Sequence, residues 1–136
     1  MRYARRSASA FFARRCVPRR DAADRLRDIL AAIDRIVTYT QALSFERFCA
    51  DVRTSDAVQY NFMVIGEAAN HLPTELTDKH PELPWREMRG LRNVLAHTYF
   101  AVSLSILWET ATSDLPPLVE PLRALLVEWS SADSDG

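Results

Sequence analysis

The chain has 136 residues, 48% of them apolar and 26% charged, which is enough for one domain with its own core and too short for two. The formal net charge of -1 hides an asymmetry: residues 1–20 carry seven arginines and no acid, so the rest holds ten of the 17 basic side chains against all 18 acidic ones, +7 against -8. An acidic body excludes a protein that coats nucleic acid or membrane through a uniformly basic surface, and any polyanion has to be met by a local patch.

Three glycines are too few for the many tight turns of an all-β sandwich, so composition favours helices. Cys16 and Cys49 make neither a disulfide framework nor a zinc spacing and read as free thiols of a reducing cytosol. A cytoplasmic location is therefore expected, with no membrane partner, because no apolar run approaches the roughly 20 residues that span a bilayer. Residues 1–20 have the arginines of a targeting segment but only Ala10 to Ala13 as an apolar patch, short of the roughly 7–15 residues of a secretory core. They are expected to form a disordered basic extension, and the composition shift at Arg20/Asp21 makes Val17 a candidate first residue of the native chain. The domain is expected over 21–130, with a frayed polar tail at 131–136.

From Asp21 the helical rule takes over. Leu26, Ile29, Leu30, Ile33, Val37 and Thr40 form a core-facing stripe over about 22–42. Ser44 can cap a short segment carrying Phe45 and Phe48 that ends near Arg53, and Ser55 is the expected cap of the next helix. On that helix Val58, Phe62, Ile65, Ala69 and Leu72 recur at steps of three and four, and Pro73 stops it. Gly66 and Ala68 interrupt this apolar helix with small side chains, the mark of close helix approach. Pro81 and Pro84 bracket a turn before Trp85, after which Met88, Leu91 and Leu95 begin a further stripe. Ser103 can cap a helix holding Leu104, Leu107, Trp108, Ala111 and Leu115, which Pro116 and Pro117 break. Leu118, Val119, Leu122, Leu125, Leu126 and Trp129 make the last stripe. About five helical segments, short loops and no alternating pattern predict an all-α, antiparallel up-and-down bundle.

The helix after Trp85 carries the chemistry. On an ideal helix, Arg86, Arg89, Asn93 and His97 lie opposite Met88, Leu91 and Leu95, and Arg92 flanks that polar face. Glu87 is the only acid between residues 83 and 108, so this face is the local positive patch, and its donors suit phosphate oxygens. An imidazole can move protons at neutral pH, and a guanidinium offers a permanent charge and a fork of donors. Arg92 and His97, five residues apart, sit about 140° apart on an ideal helix, so they do not converge by backbone position alone. Glu67, on the preceding long helix, is expected to pair with Arg92 or with a basic group of a partner. His71 and His80 read as surface or turn residues, and Trp85, Trp108 and Trp129 as core.

The string Arg92-Asn93-Val94-Leu95-Ala96-His97-Thr98-Tyr99 has the form R-N-x-x-x-H-x-Y. With the run from Asp24 to Leu30, Ile65-Gly66-Glu67-Ala68, Leu83-Pro84-Trp85, Leu107-Trp108 and Asp114-Leu115-Pro116, it resembles the HepT-like branch of the HEPN proteins over about residues 21–125. Ser103 departs from the pattern, where relatives often place Asp; both residues cap helices well. The resemblance implies a homodimeric HEPN-like bundle in which the motif helices of two subunits line a cleft and cleave RNA without metal or other cofactor. Arg92 and His97 are then catalytic, Asn93 supports them, and Arg86 and Arg89 contact RNA phosphates. A twofold axis would supply a second arginine and a second histidine to the cleft. It further implies a ribonuclease toxin paired with a minimal nucleotidyltransferase antitoxin, in a type VII-like system, that silences it by adenylylating Tyr99. Two other readings stay open on the residues themselves: a non-catalytic module that binds nucleotide or substrate for a nucleotidyltransferase, and a plain helical dimerisation protein.

Overall fold

A computed structural model of the chain describes residues 21–97 and 103–134, with side chains described through Asn93 and from Ser103 to Ala132. Seven α-helices occupy the described residues: α1 (Ala22–Thr40), α2 (Phe45–Ala50), α3 (Val52–Asn70), α4 (Thr74–Lys79), α5 (Trp85–His97), α6 (Leu104–Glu109) and α7 (Val119–Ser134). A π-helical turn over Thr110–Asp114 and a 3-10 turn over Pro116–Leu118 join the last two. No strand occurs among the described residues, and the all-α bundle is as expected. None of the described helices is long and apolar enough to cross a membrane.

The core lies between α1, α3, α5 and α7. Leu26, Ile29, Ile33 and Ile36 of α1 are wholly buried against Val58, Phe62, Ile65 and Ala69 of α3, with Met88, Leu107, Leu122 and Leu125 closing the cluster. The α1 stripe takes in Ile36, and Leu30 and Val37 sit at its margin. Phe48 of α2 is buried with its ring 5.2 Å from that of Trp108, which ties α2 to α6. Each large side chain so buried contributes about 1.5–3 kcal/mol, and that packing holds six-residue helices that would not persist alone.

Local chemistry sets the helix ends. Asp21 and Ser44 accept from backbone amides three residues on, which starts α1 and α2. The cap of α3 is Asp51 rather than Ser55. One Asp51 oxygen accepts from the Thr54 amide at 3.1 Å and the other from its hydroxyl at 2.7 Å. Ser55, one turn inside the helix, is buried and donates to the Val52 carbonyl. A carboxylate serves the free amides better than a hydroxyl because it also meets the positive end of the helix dipole. The short α4 was not expected: Pro73, read as a stop for α3, is also the residue from which α4 starts, burying Leu76 and Thr77. The helix expected across 103–115 is α for its first six residues and then widens, the Leu115 amide donating to the Thr110 carbonyl ahead of Pro116. The last helix continues through Ser130 to Ser134, into the stretch expected to fray.

The hydrogen bonds from the Thr54 side chain and then its amide hold the Asp51 carboxyl below its ordinary range. A group depressed on folding contributes stability above its unfolded pKa and loses it as pH falls through the folded value. Asp51→Ala is therefore expected to lower Tm most near neutral pH, with the gap from wild type closing below the ordinary aspartate range. Thermal unfolding across pH measures this, and a gap independent of pH would remove the carboxylate charge as its source.

Candidate active site

The motif helix α5 is seated at its start by aromatic packing and at its middle by a missing side chain. Trp85 is buried and donates its indole N–H to the His80 carbonyl at 2.8 Å, and Leu83 and Met88 are buried beside it. Further along, α3 meets α5 at Gly66. A Cβ built there would strike the Arg92 backbone nitrogen and lie 2.7 Å from the Arg92 Cβ and 3.0 Å from its Cα. Such distances leave no room for any side chain, so the glycine brings the backbone of α3 up against Arg92 itself.

That approach sets the geometry of Arg92. One residue after the glycine, Glu67 places a carboxylate oxygen 3.3 Å from Arg92 Nε. Both side chains are about half exposed, 46% for Glu67 and 52% for Arg92. An exposed pair of this kind contributes at most about 1 kcal/mol, so its consequence is directional. With Nε engaged by the carboxylate, the two terminal nitrogens at the far end of the guanidinium remain available to another anion.

Beside this pair lies an open cavity of about 330 Å³ lined by Arg86, Arg89, Gly90, Arg92 and Asn93 of α5 and by Asn70 at the end of α3. Three guanidiniums and two amides thus surround one hollow in a chain whose body is acidic. Every side chain in that set can donate hydrogen bonds, and none carries negative charge. The hollow suits a phosphate with its ribose more than an apolar ligand.

The family model described as Ribonuclease HepT-like matches residues 29–125, more than two thirds of the chain. The chain belongs to the HepT-like ribonuclease family. A protein of Thermococcus cleftensis named a probable ribonuclease HepT is 42% identical over 95 residues, covering 70% of this chain and 86% of the relative. A protein of Methanocaldococcus jannaschii that carries a provisional RNase name is 30% identical over 119 residues, covering 88% of this chain and 98% of the relative. Another provisionally named RNase, from Caldanaerobacter subterraneus subsp. tengcongensis, is 35% identical over 101 residues, covering 74% of this chain and 90% of the relative. No solved structure matches the chain at a significant level.

In this HepT-like chain the candidate residues Arg86, Arg89, Arg92 and Asn93 line one cavity. His97 is the last residue of α5, and its side chain lies outside the described residues, as do all atoms of Tyr99. The expected Glu67–Arg92 pair is present, and Gly66 marks close approach as its position suggested. Two further polar neighbours were not singled out for the site. Asn70 lines the cavity, and His71 turns its ring back onto Glu67. The signal was the spacing Glu67, Asn70, His71, which is i, i+3, i+4 on the helix that also carries the glycine. Among the described residues no group of three or more His, Cys, Asp or Glu is placed to hold a metal ion.

Proposed function

We propose that this HepT-like protein is a metal-independent endoribonuclease toxin whose motif helix holds and cleaves a phosphodiester of RNA. The observation that carries the reading is the single cavity formed by Arg86, Arg89, Arg92, Asn93 and Asn70, with Arg92 oriented by Glu67. Arg92 grips the scissile phosphate and offsets charge growing on its equatorial oxygens, while Arg86 and Arg89 take neighbouring phosphates. The 2′-oxygen attacks phosphorus, the 2′-hydroxyl gives up its proton to a base, and the bond to the 5′-oxygen breaks as that oxygen is protonated. His97 is a proton-transfer group, with Asn93 one turn before it as support. The products are a 2′,3′-cyclic phosphate and a 5′-hydroxyl. The working form is a homodimer in the cytoplasm, which sets two basic faces side by side.

The direct test compares an oligoribonucleotide with one carrying a single 2′-deoxynucleotide at the cleavage position. Only the first is expected to be cut, with a cyclic phosphate seen by mass spectrometry. Cleavage of the deoxy form, or loss of cleavage in excess chelator, would overturn this chemistry. Binding of both oligonucleotides with no cleavage of either would favour the non-catalytic nucleotide-binding reading.

Control follows from the place of Tyr99, two residues after His97. The cognate minimal nucleotidyltransferase antitoxin adenylylates this tyrosine. AMP then sets a phosphate charge and a nucleoside near the arginines, where they repel and obstruct RNA. Tyr99→Phe is expected to keep its association with the nucleotidyltransferase but gain no AMP on incubation with ATP, read as intact mass. AMP on the variant would move the modification elsewhere.

A further inference from the structure

A second hollow, of about 460 Å³, opens between α4 and the start of α5, over the buried side chains of Leu83 and Trp85. Arg86 and Arg89 line it as well as the cavity that holds Arg92 and Asn93, so the two spaces adjoin across this pair of guanidiniums. From α4 come Thr74, Thr77 and Asp78, which share one helix face at i, i+3 and i+4.

Two guanidiniums and three carboxylates line this hollow, and they do not pair with one another. Glu82 is engaged elsewhere, its Oε1 lying 3.2 Å from His80 Nδ1. The side chains of Asp78, Glu87, Arg86 and Arg89 form no ion pair or hydrogen bond with another described residue. Opposite charges that line one space without meeting keep both donors and acceptors open to a ligand. Stability does not account for Asp78: an acid in the last turn of α4 faces the negative end of the helix dipole.

A nucleotide matches both walls. Bases of single-stranded RNA are read where they splay from the backbone, stack on arginine planes and form hydrogen bonds along the Watson–Crick edge. With its phosphates on the arginines of α5, a nucleotide extends its base away from α5, and the outer edge of that base meets α4. Asp78 is the open carboxylate on that wall, whereas Glu87 stands on α5 among the arginines. A carboxylate offers two adjacent acceptors and no donor. Guanine alone of the four bases sets two N–H donors side by side on this edge, at N1 and the 2-amino group. Adenine, cytosine and uracil each place a lone pair beside their donor, where a carboxylate oxygen repels it.

We propose that the hollow between α4 and α5 is a base-recognition site for a guanine next to the scissile phosphate, read by Asp78 and stacked on Arg86 or Arg89. This rests on the ribonuclease reading above, which puts the scissile phosphate at Arg92. The adjoining cavity then serves the phosphates, and this hollow decides where along an RNA the cut falls.

The test uses the full chain with a uridine oligonucleotide carrying one internal guanosine, its inosine counterpart and the all-uridine strand. Each is also made in a 2′-O-methyl form, which keeps the bases and lacks the attacking hydroxyl. Wild type is expected to cut beside guanosine about 10–100-fold faster than at the same bond of the all-uridine strand. Fluorescence anisotropy on the 2′-O-methyl forms should give the same order in affinity. Inosine, which lacks the 2-amino group, should lose most of the advantage. Asp78→Asn exchanges one acceptor for a donor and is expected to bring guanosine and uridine within about twofold of each other, with Tm held or raised. Glu87→Gln should keep the preference. A preference that survives in D78N, or one lost in E87Q and kept in D78N, overturns the role of Asp78. Inosine equal to guanosine overturns the two-donor contact. A protein that cuts RNA without regard to the base removes the base site and leaves the ribonuclease reading standing. One that binds the guanosine strand selectively, loses that selectivity in D78N and cuts nothing keeps the base site and overturns the ribonuclease reading.

Discussion

Arg92→Lys is expected to lower kcat/KM for RNA cleavage by about 10²–10³-fold, the usual cost of removing one aligned donor from a developing oxyanion. The substitution keeps the charge and loses the fork. Arg92 makes one contact through Nε, to Glu67 at 3.3 Å, and in the proposed reading its terminal pair of nitrogens takes the phosphate. A lysine ammonium is a single point, so satisfying Glu67 withdraws it from the phosphate, and meeting the phosphate leaves Glu67 unpaired. The loss should fall mostly on kcat, because charge growing on the equatorial oxygens is greater in the transition state than in bound RNA. Binding is also shared with Arg86 and Arg89, which line the same cavity. Initial rates over a range of RNA concentrations separate the two parameters. A rise in KM with kcat unchanged would show that Arg92 supplies only general attraction. Full activity in the lysine variant would remove Arg92 from the phosphate altogether.

The helical bundle was legible because its core obeys a period that burial enforces. Val58, Phe62, Ile65, Ala69 and Leu72 were placed by spacing alone, and all five are buried. Where two local signals competed, spacing could not decide. Asp51 and Ser55 are both good caps four residues apart, and the choice fell to Asp51 because it also holds the Thr54 hydroxyl. The α4 turn escaped because a proline that ends one helix can begin another, and six residues carry too little periodicity to show. The widening at Thr110–Asp114 escaped for a different reason. A π turn is a change of hydrogen-bond partner, here Leu115 to Thr110, and the side-chain pattern through Leu107, Trp108 and Ala111 does not register it.

The site was legible in one dimension only. Arg86, Arg89, Arg92 and Asn93 share a face because they share a helix, and 3.6 residues per turn is enough to place them. Asn70 comes from another chain segment, so its proximity depends on how α3 crosses α5, a tertiary fact. Glu67 could be weighed as a partner for Arg92 only as a carboxylate on a neighbouring helix; that Gly66 beside it brings α3 against Arg92 itself is a tertiary fact. The charge arithmetic also changes meaning once the fold is known. The basic extension at 1–20 is not needed to explain phosphate affinity, since three arginines and two amides converge inside the acidic body.

Gly66→Ala is expected to destabilise the protein by about 1–3 kcal/mol, the cost of forcing extra volume into a packed contact. Helix propensity predicts the opposite sign, since alanine within a helix is favoured over glycine by about 1 kcal/mol. Sterics decide, because the new methyl group would collide with the Arg92 backbone nitrogen and lie 2.7 Å from its Cβ. Neither is the free end of a flexible chain, so α3 and α5 must move apart. Gly90 is the control: it lies on the same α5, with nothing within 4 Å of an added Cβ. Gly90→Ala should therefore be neutral or stabilising by up to about 1 kcal/mol. Chemical denaturation of the two variants is expected to give shifts of opposite sign. Because Gly66 is what sets the separation of Glu67 and Arg92, the alanine variant should also lose RNA cleavage well below its unfolding temperature, through misplacement of a still-folded site. A Gly66→Ala protein as stable as wild type would mean that α3 and α5 can part without cost. One that is destabilised yet fully active would separate the packing of Arg92 from its chemistry.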